Sequence, residues 1–484
     1  GAAFTNLSGT IFPCMNGYGG TQVVNFGQRA FNTNAPSGYK CWNTANLPNP
    51  PIADGSDYFD AKTYTGNGST QSITGFQFSP DWVWYKDRGS TAGHALFDSV
   101  RGAQKRLRTM TGAAEATDST YLTSFDSDGF TVGSHVTGNN SGSNYIAWCW
   151  DAGSSTASNT NGSITSNVRA SQTSGFSIVS YTGNNTAGAT IGHGLSAAPE
   201  VVFYKNRSRS ENWGVYSKAV GASKSMYLNL TQIALTANAS PANMYNSTDP
   251  SNTVLTVGDA VHVNANNEYI IAYCFAPVAG FSSMGVYTGN GNANGPFIDT
   301  GFKVAFLITK RTDSTTSGDW NIVDTTRGTY NPVGPYLYVN QSNAEGDVTI
   351  YDLLSNGFKI RESGAGTNAN GSTYFYLAFA ENPFKTARAR YIMAFKILIT
   401  VLALAPNLLI GYLFLNKDTI IENQKKALLG ALSGQISGQL SQQTDAIKDN
   451  MGSMFTETIK PEIKAGDQNT LKAIPKNTGP ALPF

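Results

Sequence analysis

At 484 residues the chain is long enough for about three or four domains. Its 33 basic and 32 acidic side chains nearly cancel, so no charge imbalance points to nucleic acid as a partner. Charged residues make up only 13% and aromatic residues 11%, which excludes bulk disorder and suits a surface of Gly, Asn, Ser and Thr, as extracellular β-proteins and virion appendages carry.

Residues 1–53 read as the end of a β-domain and a linker. The chain opens on Gly1-Ala-Ala-Phe with no initiator Met, in what reads as mid-domain, which predicts a longer parent protein. Thr21 to Arg29 alternates and contains Gly27, a strand signal. Pro48, Pro50 and Pro51 stiffen the exit into an extended connector, because Pro fixes φ and disfavours helix before it.

The next stretch says nearly the same thing three times, over residues 54–153, 154–277 and 278–390. Each copy opens on Tyr-Thr-Gly-Asn, at Tyr64, Tyr181 and Tyr287. An apolar run ending at Lys86, Lys205 or Lys310 follows. Next come His94 to Gly102, Trp213 to Gly221 and Trp320 to Gly328. Ser127-Asp-Gly-Phe130 returns as Ser355-Asn-Gly-Phe358 and is blurred in the middle copy. Tyr145 to Trp150, Tyr269 to Phe275 and Tyr374 to Phe379 close the copies. A repeat of this length fits a small domain and exceeds a solenoid unit. Runs of apolar and β-branched residues between Gly/Asn/Asp/Ser turns predict strands, and the continuous runs at Trp82 and Val201 predict strands covered on both faces. The expected fold is mainly β: three tandem related β-sandwich domains after a partial β-domain, laid out as an extended spacer or adhesive fibre.

The character changes after residue 390. Residues 391–416 hold Ile397 to Leu415 without a charge, including Leu402, Pro406, Asn407 and Leu413. That length reaches the bilayer threshold, but Asn407 in hydrocarbon would need a partner, so the segment either spans a membrane or is a stem buried among copies of itself. Residues 417–484 predict an amphipathic helix and an extended tail. Leu428, Leu432, Ile436, Leu440 and Ile447 share a face, and Gly430, Gly434 and Gly438 recur every four residues. Three glycines cost a lone helix roughly 3 kcal/mol. Close approach of helices offsets that cost, so these residues predict a self-association stem.

No chemistry-bearing constellation stands out. Asp98/Arg101 and Asp324/Arg327 share Asp-x-x-Arg-Gly, but the middle copy has Ser217 and Val220, which favours a turn-closing ion pair over a binding site. His94 aligns with Trp213 and Trp320, and His135, His193 and His262 do not recur as a set. Asp126 and Asp128 form a short acidic turn without a Ca²⁺-loop ligand series. Cys14, Cys41, Cys149 and Cys274 lack metal-ligand spacing, and Ala378 takes the third-copy position of Cys149 and Cys274, so a small core residue suffices there. No nucleophile elbow, P-loop or dinucleotide fingerprint occurs. The expectation is no catalytic site, no metal and no cofactor.

Taken together, Tyr64-Thr-Gly-Asn-Gly-Ser, Pro80-Asp-Trp-Val-Trp, His94 to Gly102, Ser124 to Phe130 and Tyr145 to Trp150 resemble an uncharacterised domain of phage virion proteins, especially of marine podoviruses and cyanophages. Phe12-Pro13, Asn25 to Phe31, Pro36 to Tyr39 and Thr44 to Pro48 are similar to the end of a SPRY-like lectin fold. The resemblance covers about residues 1–390 and implies a tail-fibre or receptor-recognition role, with no active site to carry over. It makes residues 393–484 look like a second small protein fused to the first. The expected partners are two further copies in a homotrimer, other virion tail proteins, and a host-surface glycan or protein, with membrane contact through 397–415 as an alternative. The expected location is the virion; the alternatives are a membrane-anchored adhesin and a glycan-degrading fibre.

Overall fold

The computed structural model describes residues 47–236 and 243–386, together with Gly430, Leu432, Ser433, Gly434, Ser437, Gly438, Leu440 and Ser441 of a C-terminal helix. The chain divides into two compact units, Gly1–Ile392 and Met393–Phe484. The expected SPRY-like end up to residue 46 lies outside the described residues, as do Ile397, Leu402, Pro406, Asn407 and Leu413 of the hydrophobic segment and Leu428, Ile436 and Ile447 of the stem.

The first unit is mainly β, and the three sequence copies build the same thing. In the first, strand Asn144–Trp150 lies between Phe59–Thr65 and Trp82–Asp87, with Ala95–Asp98 beyond. In the second, Tyr269–Phe275 lies between Phe176–Thr182 and Val201–Asn206, with Gly214–Ser217 beyond. In the third, Thr373–Pro383 lies between Ser282–Thr288 and Phe302–Arg311, with Trp320–Asp324 beyond. The last strand of each copy is thus the hub of its sheet, antiparallel to both neighbours. Hub and second strand are buried along almost their whole length, as their continuous apolar runs require. Smaller sheets cover them in the first two copies, Gln71–Thr74 with Gly129–Val132 and Leu122–Asp126, and Ala189–Gly192 with Val254–Val257; in the third the main sheet itself continues through Val333–Tyr338 and Gly346–Leu354 to Gly357–Ile360 and Phe297–Asp299. The only helices among the described residues before 386 are the short turns Val136–Asn139 and Val261–Asn264 and the 3₁₀ turn Gly55–Asp57.

The register aligns the copies residue by residue. Cys149, Cys274 and Ala378 are equivalent, pairing with Val83, Val202 and Leu307. The middle copy departs from its sequence motif here. Ile270, not Tyr269, takes the place of Tyr145 and Tyr374, pairing with Tyr181 as those pair with Tyr64 and Tyr287. Tyr269 is left 60% exposed.

The copies are not beads on a string. One apolar cluster runs through all three, joining Trp82, Trp84, Trp148 and Trp150 to Phe176, Phe203, Tyr273 and Phe275 and to Phe306 and Phe379. Phe379 meets both Trp150 and Phe275, its equivalents in the other copies, at centroid distances of 5.7 and 5.8 Å. The extended layout expected from tandem repeats therefore does not hold for these residues. Each copy has more apolar surface than its own strands cover, and the three cover it on one another.

Candidate functional site

The repeated motifs are spent on three seams that follow one another around a ring. Trp213 of the second copy donates its indole N–H to the Arg108 carbonyl of the first (2.7 Å). Trp320 of the third donates to the Tyr227 carbonyl of the second (2.9 Å). His94 of the first stands 2.9 Å from the Tyr338 carbonyl of the third. Donors and acceptors occupy equivalent positions, so the contact is one contact made three times, closing the chain into a pseudo-threefold ring. His94 can serve because its tautomer is fixed. Its Nδ1 accepts from the Trp84 indole (2.8 Å), which leaves Nε2 to carry the proton. Burial, aided by the charge of Lys86, lowers its pKa to about 3 and keeps the ring neutral.

Asp-x-x-Arg-Gly belongs to the same seams. The Asp98 carboxylate caps the Arg101 backbone N–H (2.8 Å) and pairs with its guanidinium, and Asp324 does the same with Arg327. That much is the turn-closing pair the sequence suggested. The structure adds a partner from the next copy: the Tyr273 hydroxyl donates to Asp98 (2.7 Å), and the Trp148 indole donates to Asp324 (3.0 Å). Glu115 and Glu345 then bridge outward, Glu115 to Arg207 (2.8 Å) and Glu345 to Arg88 (2.6 Å). At the third seam the whole set changes together. Ser217 and Val220 replace the Asp and Arg, Leu377 replaces the hub donor, and Ala234 replaces the Glu, while the backbone bond Ala234 N–H to Thr312 carbonyl (2.8 Å) is kept. A buried carboxylate without its donor would be costly, so donor and acceptor are lost as a pair.

A third group was missed in the sequence. Asn139, Asn264 and Asn368 are fully buried, and each accepts the backbone N–H of the Asn in Tyr-Thr-Gly-Asn, at 2.8, 2.9 and 2.8 Å. Each also donates to carbonyls across the corner, Asn264 to Thr186 and Gly258, Asn368 to Asn292 and Glu362. The Tyr hydroxyls of the same motif donate to the carbonyls of Gly138, Val263 and Thr367. The signal was present: each Asn stands six residues before Tyr145, Ile270 or Tyr374. It was hidden by the abundance of Asn elsewhere. These corners leave Asn67–Thr70, Asn184–Gly188 and Asn290–Asn294 exposed as three equivalent loops of small neutral side chains.

The other sequence candidates have local roles. His135 caps Val136–Asn139 by accepting from Thr137 (3.1 Å), and His193 Nδ1 accepts from Leu195 (3.2 Å). His262 lies 3.5 Å from Glu211. Asp126 accepts from Ser124 and Thr131 within its own hairpin (both 2.7 Å). Cys149 and Cys274 are free and buried, and burial raises both thiols. No group of three or more potential metal ligands occurs among the described residues. Three lysines remain. Lys86, Lys205 and Lys310 are equivalent and fully buried, and their ammonium groups donate to backbone carbonyls, Lys86 to Asp87 and Ser90, Lys205 to Asn206, Lys310 to Arg311 and Thr231. In the C-terminal helix, Leu432 and Leu440 are exposed, and a Cβ added at Gly430, Gly434 or Gly438 meets nothing within 4 Å. No helix among the described residues is long and apolar enough to cross a membrane.

No curated protein and no solved structure matches this chain. One family does match, and its span of residues 54–383 covers all three copies as a single domain, ending where the ring ends; the chain belongs to the family described as Domain of unknown function (DUF7483).

Proposed function

We propose that this chain is a structural subunit of a phage virion appendage, a tail fibre or similar part, that attaches to a glycan or protein on the host surface. The observation that carries the reading is the division of labour in the ring. The repeated motifs are consumed in seams and corners, and what faces outward in triplicate is a set of loops built from Asn, Gly, Ser, Thr and Ala. Rigid scaffolds that hold variable loops are how binding proteins present contacts, and small uncharged loops suit many weak polar contacts made together. The near-zero net charge and the resemblance of the repeat motifs to phage virion proteins agree with it.

The subunits would associate as a homotrimer through the C-terminal helix. A Cβ at its three glycines would meet nothing within 4 Å among the described residues, which suits close approach of a neighbouring helix. Mass spectrometry of gradient-purified native particles tests the reading directly. Peptides from both sides of Arg390, and one crossing it, are expected in the virion fraction. Recovery only in host-cell membranes would favour a membrane-anchored adhesin instead, and release of sugar from host polysaccharide would favour a glycan-degrading fibre.

A further inference from the structure

Among the described residues, the second copy has a strand the others lack. Ser166–Ser171 runs antiparallel along the edge strand Phe176–Thr182, with Val168 opposite Val179 and Arg169 opposite Ile178. Val168 is buried in the core of that copy, and Arg169 reaches out of it to pair with the buried Asp81 of the first copy (2.6 Å). Asp81 has an equivalent in each copy. The backbone N–H groups of Ser99, Lys218 and Thr325 donate to the carbonyls of Asp81, Glu200 and Ala305, which places Glu200 and Ala305 where Asp81 stands.

The matching edge of the first copy, Phe59–Thr65, is blunted by side chains. Asp60 accepts the Ala61 N–H (2.7 Å), Thr326 donates to the Ala61 carbonyl (3.3 Å) and Gln71 to the Thr65 carbonyl (3.2 Å). An Asp60–Lys62 ion pair adds charge, a common protection of strand edges. The edge of the third copy, Ser282–Thr288, has no such device. The Gly289 N–H bonds the Ser372 carbonyl, so with period-two alternation Met284, Val286 and Thr288 turn their N–H and C=O groups away from the sheet. Among the described residues no strand pairs with them. The strand contains neither a charge nor Pro, and Val286 is 40% exposed. The Tyr376 phenol, opposite Gly285 in this sheet, is pushed up by burial and further by the charges of Asp299 and Glu200, so Glu200 lies within electrostatic reach of the open edge.

We propose that Ser282–Thr288 is a strand-addition site that takes an extended segment of another polypeptide, with an aliphatic residue opposite Gly285 and a basic residue opposite Met284 that pairs with Glu200. Main-chain hydrogen bonds to Met284, Val286 and Thr288 give the affinity, and the Glu200 pair fixes the register. The second copy supplies the pattern, since Val168 and Arg169 hold these two positions against Val179 and Ile178. Glu200 is free to accept such a partner, because its ion pair is with the half-exposed Lys218 (2.9 Å).

A fluorescein-labelled peptide of residues 164–173 is the probe, read by anisotropy against the full chain. Saturable binding is expected, weakened at least roughly tenfold by Arg169→Glu in the peptide and recovered by Glu200→Lys in the protein. Val286→Pro in the protein is expected to abolish binding without lowering the melting temperature, since its N–H faces outward on an edge strand. The proposal is overturned by no binding at millimolar peptide, or by a Val286→Pro chain that binds as the parent does. A parent chain whose self-association disappears on Val286→Pro would also overturn it, by putting a second copy on the edge. None of these outcomes depends on whether the protein sits in a virion.

Discussion

The buried lysines carry the sharpest consequence at the scale of single residues. Burial lowers Lys86, Lys205 and Lys310 from 10.5 to about 8. Between these values the unfolded chain holds more protons than the folded one, so stability rises with pH across that window. The buried phenols act in the opposite sense. Burial raises Tyr85, Tyr204 and Tyr273 above their ordinary 10.0, so unfolding releases protons there and stability falls at higher pH. Denaturant midpoints are therefore expected to climb above pH 8 and to turn over before pH 10, as the thiols and phenols of the unfolded chain begin to lose protons, and triple Lys→Met substitution should flatten the climb. His94 gives a second test. His94→Ala leaves the Trp84 indole and the Tyr338 carbonyl without partners and opens a cavity, at a cost of about 2–4 kcal/mol in equilibrium unfolding. His94→Trp restores a donor to the Tyr338 carbonyl but no acceptor for the Trp84 indole, so it is expected to recover only part of that loss.

Among the elements, the Tyr-Thr-Gly-Asn corner shows what sequence reasoning could and could not see. The turn itself was legible three times over, because Gly and Asn at fixed offsets before an alternating strand are a local signal. Its anchor was not, because Asn139 lies far down the chain from Asn67, and a buried Asn looks like any other Asn in an Asn-rich sequence. The same contrast runs through the seams. Asp98–Arg101 read correctly as a local pair, whereas the Tyr273 hydroxyl that completes it comes from another copy. The hub strands were recognisable from continuous apolar runs, but their cover was expected within each copy and comes instead from all three. Asn368→Leu tests the corner's weight. It removes three carbonyl partners' donor at a fully buried site, and a loss of about 2–4 kcal/mol is expected in chemical denaturation, with faster hydrogen exchange at Asn290–Gly295.

For the ring as a whole, the seams are unequal. The seam between the first and third copies, which no short linker joins, holds the Arg88–Glu345–Arg327 network. The seam between the second and third has a covalent connection and the uncharged Ser217, Val220 and Ala234 where the others have ions. A double-mutant cycle on Arg88→Ala and Glu345→Ala is expected to return a coupling of about 1–3 kcal/mol, since both partners are half-buried and bonded twice. Loss of that coupling in high salt would show the pair to be a surface one.

The position of each hub strand also sets an order of events during synthesis. The hub strand of each main sheet is the last of its copy to be made, so the first strand of the copy and the hairpin on the hub's other side leave the ribosome with nothing between them. The apolar faces shared around the axis stay uncovered until Thr373–Pro383 emerges, and Ser282–Thr288 has no neighbour in the third copy before then. A nascent chain would therefore carry two incomplete thirds of a core for most of its translation, a state prone to sticking to its neighbours. A fragment ending at residue 277 is accordingly expected to precipitate or bind a hydrophobic dye, while residues 47–386 fold in one cooperative step.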